Sequence, residues 1–144
     1  MKIKLLIVVA VLSLLLVTFG ACAGTTEEAS EIEDIRWMLE SFGDPDNLQT
    51  VLEGTEVSAT FTGAEGQVRG SAGCNSYFGG YEIEGSNLSV TQIGNTEMYC
   101  MEPEGRMDQE QAYLKALQAA ETFMVQDGKL QIKYGNQVLN FNAE

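Results

Sequence analysis

Residues Thr122 to Phe141 form three short runs of alternating residues, Thr122 to Gln126, Lys129 to Tyr134 and Gln137 to Phe141, joined only by Asp127-Gly128 and Gly135-Asn136. Both dipeptides favour positive φ, the backbone twist that a two-residue hairpin needs. The runs therefore read as an antiparallel meander, and this end of the chain belongs to a β-rich fold.

The same grammar extends upstream. Ile35, Trp37, Leu39 and Ser41 alternate against Arg36, Met38, Glu40 and Phe42, which predicts a first strand. Gly43 to Asn47 supplies a turn. Its Asp44 and Asp46 do not make a calcium loop, because Gln49 and Thr55 stand where such a loop needs Gly and Glu. Further strands are expected at Leu48 to Leu52, Glu56 to Thr62 and Gln67 to Ser71, with Val57, Ala59 and Phe61 on a core-facing side and Ser58, Thr60 and Thr62 opposite. Tyr81 to Glu84 and Asn87 to Thr91 flank Gly85-Ser86, another hairpin turn. One helix interrupts the strands: Pro103 suits its first position, and Met107, Leu114 and Leu117 form a stripe with Ala116 and Ala120 beside it. That stripe predicts a helix lying against the sheet or plugging one end of a barrel.

The amino end has a different composition. Lys2 and Lys4 precede an apolar run from Leu5 to Phe19, then Gly20, Ala21 and Cys22, the layout of a secretory signal. The run is shorter than the roughly 20 residues of a membrane-spanning helix. Gly20-Ala21-Cys22 resembles a lipobox, in which Cys22 is the lipid attachment site, although Phe19 stands where that pattern prefers an aliphatic residue. A cut after Ala23 for ordinary secretion also fits. The acidic stretch that follows reads as a solvated tether and favours the anchor. The expected organisation is a signal over 1–22, a flexible acidic tether over 23–34 and one domain over 35–144.

Losing Lys2 and Lys4 with the signal takes the net charge from −13 to −15. So acidic a surface repels phosphate backbones and anionic headgroups, so nucleic acid is not an expected partner. Two cysteines remain in the domain, Cys74 and Cys100. In an oxidising compartment they are expected to form a disulfide; the alternative is two buried free thiols. The absence of histidine removes the Ser-His and Cys-His nucleophiles and the commonest metal ligand. The glycine-rich stretch Gly70 to Gly80 lacks the ending of a phosphate loop, and its glycines read as positions of unusual φ or close approach in a β fold. No catalytic residue, metal site or cofactor is expected.

Gly73-Cys74-Asn75-Ser76-Tyr77-Phe78-Gly79-Gly80-Tyr81, then Thr96-Glu97-Met98-Tyr99-Cys100 and Tyr113-Leu114-Lys115-Ala116-Leu117, together resemble the META domain family, that of the heat-shock protein HslJ. The likeness runs from about Arg36 to Phe141. It implies an α+β fold in which a curved antiparallel β-sheet, approaching a small barrel, packs against one helix. It also implies that Cys74 and Cys100 fall where members often carry cysteine, and that Gly73, Asn75, Tyr77, Gly80, Tyr81 and Met98 occupy recurrent motif positions that set conformation. The family has no established enzymatic activity; its members are mostly envelope or secreted proteins, some linked to heat shock, antibiotic tolerance or motility. The expected function is that of a monomeric, non-enzymatic lipoprotein of the cell envelope, held to the membrane by its lipid and touching an envelope protein or small molecule. The rival is a lipocalin-like barrel enclosing a small apolar ligand; an interior filled by Trp37, Phe61 and Phe78 would end it.

Overall fold

A computed structural model describes Ala29 and residues 31–144. The expected signal, Cys22 and most of the tether lie outside the described residues. Ten elements follow in order: β1 Arg36–Asp44, β2 Asn47–Thr50, β3 Ser58–Thr62, β4 Gln67–Ser71, β5 Ser76–Glu84, β6 Asn87–Asn95, α1 Arg106–Gln118, β7 Thr122–Gln126, β8 Lys129–Tyr134 and β9 Gln137–Ala143. All strand pairs are antiparallel, and β1 pairs with β9, so the sheet closes on itself. The inner half of β1 shares one edge with β3, its outer half gives that edge to β2, and β2 hangs outside the ring as a flap. The fold is the α+β arrangement with a barrel-like sheet and one helix.

The hairpin chemistry holds. Asp127 and Gly128 both take positive φ, as a type I′ turn demands, while Gly85 and Gly135 do so at the first position of their pairs, the place glycine takes in type II′. In β1 the alternation breaks at Glu40: Leu39 faces Phe141 but Ser41 faces Asn140, so one extra residue bulges out. The slip reverses the side-chain phase, which is why Phe42, expected outside, is buried with Trp37 and Leu39.

The ring has one weak seam. β6 and β7 share a single register pair, Asn87 with Thr122, supported by the Leu88 N–H on the Glu121 carbonyl and the Phe123 N–H on the Ser86 carbonyl. Beyond it the strands part, and α1 packs against β6 and β8. Trp37, Phe61, Leu88, Tyr113, Leu117, Leu130, Ile132 and Phe141 meet in one core, each nearly or wholly out of water. Burial of side chains this size stabilises by roughly 1.5 to 3 kcal/mol apiece.

Several expectations need correction. The domain starts before residue 35: Ile32 is fully buried, its carbonyl accepts the Trp37 indole N–H at 2.9 Å, and Glu33 bridges to Phe61. Pro103 does not open the helix; it lies outside α1 after a cis peptide bond, and Gly105 precedes the first turn. The buried face of α1 is Gln109, Glu110, Tyr113, Ala116 and Leu117, whereas Met107 and Leu114 stay half-exposed at its side. Phe78 is 62% exposed on the outer surface. Trp37 and Phe61 do fill the interior, and with the other core side chains they leave a lipocalin-type ligand without a chamber among the described residues. Ser58, read as outward, is buried as well.

Candidate functional site

The glycine-rich stretch makes strand as well as turn. Gly70 in β4 passes so close to β3 that an added Cβ would fall 1.9 Å from the Ser58 carbonyl oxygen. Gly79 and Gly80 approach Thr91 of β6, a Cβ on Gly80 meeting the threonine hydroxyl at 3.1 Å. Between the strands Gly73 takes φ 114°, a region closed to most side chains. These are the positions of close approach and unusual φ that the sequence implied.

The turn carrying Gly73, Cys74 and Asn75 faces the start of α1, and the motif residues converge there. Glu110, almost fully buried, accepts the backbone N–H of Asn75 on Oε2 at 2.7 Å and that of Cys74 at 3.1 Å, while the Asn75 amide donates to its Oε1 at 2.7 Å. Asn75 then turns to the segment between β6 and α1: it donates to the Met98 carbonyl at 3.0 Å and accepts the Met98 N–H and the Thr96 hydroxyl, each at 2.7 Å. Cys74 and Cys100 are joined by a disulfide, with Cα atoms 5.9 Å apart. Arg106 clamps the turn by donating from its guanidinium to the Gly73 carbonyl. Next to Glu110, Gln109 accepts the Leu52 N–H at 2.7 Å and donates to the Thr55 hydroxyl at 2.9 Å. A polar helix side is buried because each of these donors would otherwise lose its partner in the fold.

One layer deeper, the Tyr77 hydroxyl donates to the Ser58 carbonyl at 2.9 Å and lies 2.7 Å from the Tyr113 hydroxyl. Burial pushes both phenols well above their ordinary pKa. Tyr81 is raised too, by burial first and then by Glu33, to which its hydroxyl donates at 2.6 Å. That bond fixes the segment before β1 to the ring. The structure thus brings Gly73, Cys74, Asn75, Met98 and Cys100 together, with Tyr77 beneath them and Tyr81 and Gly80 further along β5.

Sequence reasoning misses Gln109 and Glu110, takes Tyr113 only as part of the family motif, and puts Ser58 on the wrong face. The one available signal was the spacing of Glu110, Tyr113 and Leu117, which repeat at helical intervals; weighing apolar residues alone conceals it.

Beside this cluster an open groove of about 630 Å³ runs between α1 and β6, walled by Ile93 and Asn95 on the strand and by Met107, Gln111 and Leu114 on the helix, with Ala119 just past its end. The Cys100 N–H points at the sulfur of Met107, one of the wall residues, at 3.4 Å. The neighbouring Met98, Tyr99 and Met101 side chains are exposed, Tyr99 by 80%. Chemically the buried cluster is occupied with itself: both oxygens of Glu110 and both ends of the Asn75 amide already hold partners. Among the described residues no three Cys, Asp or Glu side chains gather as metal ligands, and no helix is long and apolar enough to cross a membrane.

The family model described as META domain matches residues 30–144. A protein from Burkholderia xenovorans, solved by NMR, superposes with a TM-score of 0.68 at 27% identity, over 89% of this chain and 94% of that one. A DUF4847 family protein from Bacteroides vulgatus, solved by crystallography, has the same fold with a TM-score of 0.59 at 14% identity, over 80% and 96% of the two chains. A comparison with curated proteins returns no match.

Proposed function

This chain belongs to the META domain family, and from that premise we propose that it is a non-enzymatic, HslJ-like lipoprotein of the cell envelope. In this reading Cys22 carries the lipid, the acidic tether spaces a monomeric domain from the membrane, and the domain supports tolerance of envelope stress or antibiotics by touching another envelope component. One observation carries the reading. The polar motif side chains, Asn75, Glu110, Tyr77 and Tyr113, are engaged with one another or with backbone, and the surface beside them offers apolar side chains and a groove. That arrangement supports recognition over bond-making chemistry. The structural disulfide agrees with an oxidising compartment.

The test is a deletion strain complemented with the parent gene or with Cys22→Ser. Reduced survival under heat and envelope-active antibiotics, restored by the parent and poorly by Cys22→Ser, is the expected result. Unchanged tolerance in the deletion strain would count against the stress role, and a mature amino terminus without acyl mass at Cys22 would remove the anchor.

A further inference from the structure

We infer that the groove between β6 and α1 receives an extended, basic segment of another protein, added as a further strand along β6. On one side β6 is laddered to β5, with one bulge at Gln92 and Ile93 opposite Gly79. On the other its pairing with β7 ends at Asn87, and past the Leu88 N–H bond to Glu121 no strand lies alongside Val90 to Asn95. The groove runs along that stretch, since Ile93 and Asn95 form its strand wall. Strand addition requires such an edge: main-chain bonds supply the affinity, and alternate side chains find pockets. The opposite wall offers the half-exposed Met107 and Leu114, apolar and, in the case of Met107, unbranched enough to adapt to varied side chains.

Two further observations select the occupant. Exposed strand edges are ordinarily blunted by lysine, other charges, proline or a bulge; β6, Asn-Leu-Ser-Val-Thr-Gln-Ile-Gly-Asn, has a bulge at Gln92 and Ile93 but carries no charge and no proline in a chain of net charge −13. Asp108 and Glu110 line the groove with Lys115 the cation on its wall, and the segment leading from β6 into α1 adds the exposed Glu97, Glu102 and Glu104. A segment alternating apolar and basic residues therefore matches both the wall and the field. The inference deepens the binding-module reading proposed above and rests on it.

The experiment titrates isotope-labelled full-length protein in detergent with a short synthetic peptide alternating valine and lysine, read by amide chemical shifts. Two controls accompany it: the same peptide with glutamate for lysine, and one with a central proline, which cannot donate to a ladder. The expected result is shifts confined to Val90–Asn95 and the facing side of α1, with affinity lower by about tenfold or more for each control. Gln111→Lys, an exposed change, should weaken binding by a similar factor while melting like the parent. Equal binding of all three peptides, shifts mapping elsewhere, or amides of Val90–Asn95 already protected from exchange by the chain itself or a second copy would overturn the inference. Peptide binding with unchanged stress tolerance on deletion would sink only the cellular reading; lost tolerance without peptide binding would sink only this one.

Discussion

The Asn75 amide donates to Glu110 Oε1 at 2.7 Å, and the same carboxylate gathers the backbone N–H groups of Cys74 and Asn75. The glycine turn, the disulfide and the helix are thereby referred to one side chain. Replacing Glu110 with Gln keeps the volume but turns an acceptor into a donor facing donors. Glu110→Gln should cost about 2 kcal/mol, or roughly 8 to 10 °C in Tm. A thermal melt within a degree or two of the parent would show that the carboxylate is not what seats the helix.

Removing the disulfide should be costlier. Cys74 and Cys100 are 26 residues apart, and closing a loop of that length stabilises by about 3.5 kcal/mol in the chain-entropy picture. The Cys74→Ser/Cys100→Ser variant and the reduced parent should melt together, roughly 15 °C below the oxidised protein. Thiol titration of the unfolded, unreduced domain settles the premise, because two free thiols from Cys74 and Cys100 would remove it.

Alkaline pH should loosen the domain through its inner tyrosines. Tyr77 and Tyr113 hold their protons more tightly folded than unfolded, because burial penalises the phenolate. Above the ordinary tyrosine pKa of about 10 the unfolded chain loses protons that the native state keeps, so the stability these groups contribute is intact below that pH and declines above it. Urea melts at increasing pH should show that decline, and Tyr77→Phe should flatten it. A stability independent of pH in this range would mean that the two hydroxyls are not sealed from water.

Two glycines of neighbouring strands should respond differently to alanine. At Gly70 the new methyl meets the Ser58 backbone at 1.9 Å, which only a shift of β3 can relieve, whereas at Gly80 it meets the Thr91 hydroxyl at 3.1 Å, which can rotate. Gly70→Ala should lose about 3 kcal/mol or fail to accumulate, and Gly80→Ala less than about 1. Comparable denaturation midpoints for the two would refute the distinction.

Much of the barrel is readable from local signals, because Asp127-Gly128, Gly135-Asn136 and Gly85-Ser86 leave the backbone few alternatives and the runs between them alternate. The pairing of Cys74 with Cys100 is legible as an expectation, because the two are the only cysteines left in the domain once the signal is set aside. Long-range geometry escaped. Nothing adjacent to Glu40 announces a bulge, since the slip is set by β9 arriving from the other end of the chain. Ser76 to Gly80 looks like loop because glycine has little strand preference, and it is strand because neighbouring backbones need the space. Glu110 and Gln109 look like solvated helix residues until the donors they serve, on distant loops, are in position. Ile32 falls in the expected tether because acids surround it in sequence, although the core tests the side chain alone.

Closure of the ring joins β1 to β9, so the wall beside Trp37 and Leu39 is built from the final residues, up to Ala143 opposite Trp37. A chain synthesised amino end first has nothing to seal that wall until its last strand has been made. Synthesis must therefore finish before the barrel can lock, and the carboxyl end acts as the timer: trimming even β9 leaves a ribbon with two open borders instead of a slightly smaller barrel.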